Sequence, residues 1–355
     1  MEVAQLDPLE RAVLETCGPA DAGLRDTARA ILERKVRGLP MPELDAIEAA
    51  QRAAGEPHPW PRVWAASAHS LDRDATLARL DSWLGAGRPG GLRRCGVAVG
   101  TAADGTRSLV VMAVDVLADL APLPTRVRTG QWVTVEARLR QRASGGRVVV
   151  MAAGEAPRTV PSWFDGATLR ARFAVDRPGA TAVQVVADLA TGPRPVLEAI
   201  VFADVEPPPP ELDQRDLRVA PGEDAAVGAR DDDRLTSMIA AARVTAGLRP
   251  LARDARLDAV ARDHAARMAM ARELAHDVGD GDPLERLHVA GLDPRSAGEN
   301  VAHAATVPLA HRALWASPSH RANLLGREYD RVGVGVARDT HGDVWVVETF
   351  AGGVR

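Results

Sequence analysis

Apolar positions in the first 90 residues recur at helical spacing. Leu24, Ala28, Ile31, Leu32 and Val36 line one face of a helix from Ala22 to Arg37, which Gly38 and Pro40 stop. A second helix is predicted over Pro42 to Ala54, closed by Gly55 and Pro57, and a third over Asp72 to Leu84. Between them Pro57, Pro59 and Pro61 make the stretch around Trp60 irregular. The period then shortens. Cys95-Gly96-Val97-Ala98-Val99-Gly100 and Leu109 to Val116 flank a turn at Asp104-Gly105, the pattern of a hairpin.

From Leu120 to Val205 the chain reads as short strands, among them Trp132 to Ala137, Arg147 to Ala152, Leu169 to Val175, Ala182 to Ala187 and Val196 to Ala203. Turn residues at Gly130, Gly145-Gly146, Asp165-Gly166, Pro178-Gly179 and Gly192-Pro193 punctuate them. Strands spaced this way predict an antiparallel β-sandwich of immunoglobulin-like kind, without the Cys-Trp-Cys core of a true immunoglobulin domain. Pro207 to Pro210 and the charged run to Asp231 read as a linker.

Helical periodicity returns after the acidic run Asp231-Asp232-Asp233, whose charges suit a helix N-terminus. Leu235, Met238, Ile239 and Ala242 form one stripe. After Gly247-Leu248-Arg249-Pro250-Leu251 a second helix runs from Ala255 to Glu273, with Leu257, Val260, Ala261, His264 and Met268 on one face. Val332 to Val336 and Val344 to Phe350, turned at His341-Gly342-Asp343, close the chain as a hairpin. The fold class is therefore multidomain α+β. Its expected parts are an α+β domain over 1–118, the β-sandwich over 119–205, the linker over 206–231 and an α+β domain over 232–355.

Composition narrows this little. A chain of 355 residues, 46% hydrophobic and 26% charged, suits two or three globular domains. A net charge of -4 leaves no electrostatic footprint for nucleic acid. No apolar run reaches transmembrane length. The start, Met1 to Asp7, lacks the pattern of a signal peptide. Cys17 and Cys95 leave two readings open, a disulfide in an oxidising compartment or two inert buried thiols.

Three blocks near the C-terminus carry the chemistry: Leu274-Ala275-His276-Asp277, Ala297-Gly298-Glu299-Asn300-Val301-Ala302, and Ser317-Pro318-Ser319-His320-Arg321-Ala322-Asn323-Leu324-Leu325. In that order, followed by the hairpin, they resemble the CAP superfamily (the SCP/PR-1-like, cysteine-rich secretory protein fold) in its short bacterial form. The resemblance covers roughly the last 120 residues. It implies an α-β-α sandwich with the hairpin central, and a location outside the cell or in its envelope. It also implies a small apolar, lipid-like or wall-derived ligand, and the net charge of -4 implies no nucleic-acid partner. By the same resemblance His276 and His320 are the site histidines and Glu299 the first site glutamate. The family's second glutamate has no counterpart, and Ser317 stands near its place. The disulfides of eukaryotic members are absent, and Trp315 follows Leu314, which takes the place of the usual tryptophan.

Two imidazoles and a carboxylate in a cleft suit a divalent cation such as Zn2+, with Glu299 a ligand or the group that orients a histidine. A structural reading stands beside this one, with Glu299 bonded to backbone amides or paired with Arg321 to pin its loop. No cofactor is required. His264 reads as a packed helix residue, Asp277, Asp280 and Asp282 as a solvated turn, and His288, His303 and His311 as surface positions. A non-enzymatic binding module is favoured over a metal-assisted hydrolase or peptidase built on His276, Glu299 and His320. Finally, the hairpin at 95–116 and the run Leu24 to Arg29 echo 332–350 and Leu257 to Arg262. This leaves open whether residues 1–118 are a degenerate copy, with Glu43 and Trp83 at the histidine positions, or an unrelated α+β domain.

Overall fold

Capping side chains set the helix starts that periodicity alone leaves loose. Asp7 caps α1 (Pro8–Cys17) in a capping box with Glu10, and Asp21 caps α2 (Ala22–Val36) by accepting from the Leu24 amide. The structure is a computed structural model that describes residues 6–85, 92–208, 212, 219–225 and 227–354. After α2 come α3 (Leu44–Ala53), β1 (Arg62–Ala68), α4 (Arg73–Gly85), β2 (Leu92–Thr101) and β3 (Arg107–Val116). The strand β1 is new. Prolines on its N-terminal side masked it, and it pairs with β3 along its whole length, giving the sheet order β1-β3-β2.

Short strands follow: β4 (Ala118–Leu120), β5 (Arg126–Val127), β6 (Trp132–Leu139), β7 (Gly145–Ala152), β8 (Arg158–Val160), β9 (Ser162–Phe164), β10 (Thr168–Ala174), β11 (Gly179–Leu189) and β12 (Gly192–Ala203). They make two sheets, β4-β6-β10-β9 and β5-β12-β11-β7-β8. Alternation buries Val133, Val135, Ala137 and Leu139 on one face of β6 while Trp132 and Thr134 face out. The expected all-antiparallel arrangement needs correction, because β5 pairs parallel to the end of β12. Only two residues of β5 take part, too few for periodicity to reveal. Of the expected linker, Pro209, Pro210, residues 211 and 213–218 and residue 226 lie outside the described residues.

The last segment holds α5 (Asp231–Thr245), β13 (Ala252–Arg253), α6 (Ala255–Ala271), α7 (Pro283–Val289), β14 (Ser296–Ala304), α8 (Val307–Ala316), α9 (Pro318–Leu324), β15 (Arg331–Arg338) and β16 (Val344–Gly352). Its sheet runs β13-β15-β16-β14, with β16 buried throughout its length. Side chains from α5 and α8 cover one face with Val334, Val346 and Phe350, and α6 covers the other with Val301, Trp345 and Val347. This is the expected α-β-α layering with the hairpin central. Each fully buried aliphatic or aromatic side chain in such layers contributes about 1.5–3 kcal/mol before entropy is counted.

The segment 8–116 follows the same plan. α1 and α4 cover one face of its sheet with Val97, Leu109 and Val111, and α2 and α3 cover the other with Val110, Met112 and Val114. Cys95 faces Ala113 and Gly96 faces Met112, as Val332 faces Phe350 and Gly333 faces Thr349. The Asp21 amide donates to Cys95 O and the Asp254 amide to Val332 O, each at the cap of the helix that lies on the strand. Those helices touch their strands at a glycine. A Cβ on Gly96 would run into the Leu24–Arg25 backbone, and one on Gly333 into the Leu257–Asp258 backbone. In the first segment a Cys17–Cys95 disulfide joins α1 to β2.

Cα proximity divides the chain into two compact units, Met1–Arg142 with Ser162–Val185 and Pro195–Leu217, and Ala143–Pro161 with Val186–Arg194 and Arg218–Arg355. Among the described residues no helix is long and apolar enough to cross a membrane.

Candidate functional site

In the second unit the strand β14 positions the carboxylate. Gly298-Glu299-Asn300, expected as a loop, is strand, and β14 is the edge strand of the sheet. Successive side chains therefore point to opposite faces. Glu299 faces the layer of α6 and α7, where Oε1 accepts from His276 Nδ1 at 2.9 Å and Oε2 from Arg286 Nη2 at 2.5 Å. Asn300 faces the layer of α8 and α9. Its Nδ2 donates to His320 O at 3.1 Å and to Glu348 Oε2 at 2.8 Å. Asn323 Nδ2 in turn donates to Asn300 Oδ1 at 2.9 Å and to Glu299 O at 3.1 Å. The two motif asparagines thus tie β14, α9 and β16 together.

Beneath His276 lies a second histidine. His264 is fully buried on α6, with Nδ1 2.8 Å from Asp280 Oδ2 and Nε2 3.0 Å from Ala275 O. Its Nε2 is also 3.9 Å from Glu299 Oε1. Both ring nitrogens therefore face oxygen atoms. Asp280 is not in a solvated turn, since its side chain is 5% exposed. The turn is local instead, with Asp277 Oδ1 accepting from the Gly279 and Gly281 amides and Asp282 capping α7.

Burial by itself would raise the Glu299 carboxyl, but His276, Arg286 and His264 more than offset it and hold the group below its ordinary value. Asp280 follows the same pattern, with His264 and Arg286 opposing its burial. His320 behaves in the opposite way. Burial, followed by the positive fields of His276 and Arg147, pushes it down to about 3, so the ring is neutral at physiological pH. Its Nδ1 is 2.8 Å from Ser317 Oγ, a contact within one helical turn, and no carboxylate pairs with it among the described residues. Glu348 carries the reverse shift. Burial lifts it to about 7, against which the Asn300 hydrogen bond works, and its Oε1 has no partner among the described residues.

Residues far away in sequence wall the site. The His276 and Asp277 amides donate to Thr191 O at 3.1 and 3.2 Å. Gly192 follows with φ +105, and a Cβ there would meet His276 Cβ at 2.5 Å. Arg147 on β7, whose charge reaches His320, is 3.3 Å from Asp188 Oδ1. A cleft of about 540 Å³ belongs to the first unit instead, lined by Asp7, Arg11, Glu15, Arg73 and Arg107 among others.

Of the predicted site residues, His276 and Glu299 are in direct contact, and His320 is linked to the strand through its backbone carbonyl, which accepts from Asn300 Nδ2. Arg321 does not pair with Glu299. It lies over the Trp315 ring at 4.0 Å and donates to Trp315 O, while Arg286 holds the carboxylate. His311 is not at the surface but fully buried, with burial pushing it down to about 4. Arg286, His264, Thr191, Gly192 and Arg147 were not foreseen. Only Arg286 had a local signal, the capping box Asp282-Pro283-Leu284-Glu285, which announces α7 and places Arg286 directly after the box.

Edge-strand Glu299 against His276, with the Ser317 to Leu325 block folded as α9 beside it, sets the motif order into one geometry. Residues 236–350 are a CAP domain, of the cysteine-rich secretory protein family. Solved structures similar to the chain include an outer surface protein from Borrelia burgdorferi, 25% identical over 34% of this chain and 92% of that one, with TM-score 0.32. An extracellular protein containing a SCP domain from Bacillus anthracis is 14% identical over 65% of this chain and 88% of its own, TM-score 0.32. A cysteine-rich secretory protein from Staphylococcus aureus is 13% identical over 66% and 87%, TM-score 0.29. No curated protein matches the chain.

Proposed function

We propose that this chain is a non-enzymatic, extracytoplasmic binding protein whose CAP domain takes a small apolar, lipid-like or wall-derived ligand. The observation that carries the reading is how the polar groups of the CAP site are spent. Glu299 is bonded on both oxygens, by His276 and by Arg286, and His320 is half-buried and neutral with no carboxylate paired to it among the described residues. A general acid–base pair needs a group that can reach a substrate proton; Glu299 is engaged by His276 and Arg286, and His320 Nδ1 by Ser317 Oγ. Among the described residues no third group orients His320 behind the Ser317–His320 contact, so a hydrolase finds no support here. The Cys17–Cys95 disulfide suits an oxidising compartment, as does membership of a secretory family.

A divalent cation such as Zn2+ would be held by His276 and His320, with Glu299 orienting His276 through Nδ1 rather than binding metal. In the same reading the first α+β segment is a degenerate CAP copy. Its matching helix order and strand register support this, as does Val63 facing Met112 where Glu299 faces Thr349. The sheets over 118–203 serve as an immunoglobulin-like spacer.

The test is equilibrium binding of a fluorescent fatty acid and of soluble peptidoglycan fragments to the full chain, beside a fluorogenic peptide assay with and without Zn2+. Saturable binding of one ligand without turnover is expected. Peptide turnover that disappears in a His276→Ala/His320→Ala double variant would overturn the reading.

A further inference from the structure

A second group of ligating side chains lies at the opposite end of β14 from Glu299, outside the site described above. We propose that His303, Asp339 and Asp343 form a divalent transition-metal site at the turn of the β15–β16 hairpin. Among the described residues this is the one set of three His, Cys, Asp or Glu groups whose ligand atoms all lie within 4.8 Å of one another. His303 Nε2 is 3.7 Å from Asp339 Oδ2 and 3.8 Å from Asp343 Oδ2.

Those separations decide between two arrangements. They are too long for hydrogen bonds, so the imidazole is not simply bonded to either carboxylate. Around a tetrahedral zinc ion, with bonds of about 2.0–2.2 Å to nitrogen and oxygen, neighbouring ligand atoms stand roughly 3.4 Å apart. A contraction of a few tenths of an ångström therefore brings His303 to ligand spacing from each carboxylate, and the three ligand atoms already lie within 4.8 Å of one another.

Other residues hold the donor atoms in place. Asp339 Oδ1 accepts from the His341 amide at 2.8 Å and the Asp343 amide at 3.2 Å, which turns Oδ2 toward His303. The indole of Trp345 donates to that Oδ2 at 3.2 Å and leaves it a lone pair for a metal. The same indole packs against the His303 ring, with centroids 4.3 Å apart. Strand register explains the encounter, since His303 faces Trp345 across β14 and β16. One buried tryptophan thus orients two of the three ligands, the role that outer-shell groups play in metal sites. His303 and Asp343 are 37% and 40% exposed, so the site opens to solvent and water completes the coordination. An imidazole among the ligands selects Zn2+ and its neighbours over Ca2+ or Mg2+, which take oxygen alone.

The experiment is calorimetric titration of metal-stripped full chain with Zn2+, and with Ca2+ as the control. It is carried out in the His276→Ala/His320→Ala background, so that the hairpin is read alone and the cleft proposal stands or falls separately. One zinc per chain is expected, with no saturable heat from Ca2+. His303→Ala should weaken binding by at least about tenfold. Asp343→Asn, an exposed and nearly isosteric change, should also weaken it and guards against a His303 variant that fails to fold. The proposal is overturned by no zinc uptake in this background, or by unchanged affinity in both variants.

Discussion

The segments 8–116 and 231–352 lay seven corresponding helices and strands over one sheet plan, and they differ in what fills the positions around it. In the C-terminal segment Thr349 faces Glu299 across the edge strand and Val334 faces Glu348. In the N-terminal segment Met112 faces Val63 and Val97 faces Val111. One sheet therefore carries two buried carboxyl groups where the other carries aliphatic side chains. The layered fold needs only its apolar faces and the glycine contacts beneath α2 and α6, which both segments have. A polar site is an addition that burial opposes, and it survives only where Arg286, His276, His264 and Asn300 compensate it. The N-terminal segment lacks that network at the matching strand positions and has a disulfide instead.

The largest difference should appear on removing one partner of the network. Glu299→Ala strands Arg286 and His276, and breaking such a buried pair costs about 3–5 kcal/mol. Val63→Ala at the matching strand position should cost only about 1 kcal/mol. Chemical denaturation, followed by hydrogen exchange in each segment, measures both. Similar costs would break the contrast.

Second in size is the disulfide. Replacing both cysteines, Cys17→Ser with Cys95→Ser, should destabilise the N-terminal segment by about 2–4 kcal/mol. Amide protection in β14 to β16 should stay unchanged, and a loss there would show that the bridge serves both segments.

The smallest and most selective effect is pH-dependent. Burial lifts the Glu348 carboxyl from 4.5 to about 7, so across that interval the folded chain keeps a proton that the unfolded chain releases. The resulting stabilisation is complete below the unfolded value and is lost as pH rises through 7. Glu348→Gln does not titrate. The stability of the variant relative to the parent should therefore rise by up to roughly 3 kcal/mol between pH 4.5 and 8. His320 and His311 impose an acid-side slope of opposite sign, but they are present in both proteins and cancel in the difference. A pH-independent difference would mean that Glu348 is ionised throughout.

Much of the fold was legible because its information is local. The stripe Leu235, Met238, Ile239 and Ala242 specified α5 and its buried face, and alternation in 332–350 specified the central hairpin. Motif order alone identified the CAP segment and placed Glu299 beside His276. β1 was illegible because prolines precede it and its pairing partners lie 39–51 residues on. His264 read correctly as a packed residue, yet its bond to Asp280 could not be seen, since one apolar stripe serves a core histidine and a supporting one alike.

By itself the sequence determined α2 to α6, the two hairpins, the family of the last third and the histidine and glutamate that meet there. Periodicity and capping act over a few residues, so they are written wherever the chain is read. Only the tertiary structure decided that Arg286 rather than Arg321 holds Glu299, and that Thr191 and Gly192 close against His276. It also decided that Trp345 gathers His303 and Asp339, and that Cys17 meets Cys95. Those partners are chosen by which surfaces pack across tens of residues, and no spacing along the chain encodes that choice.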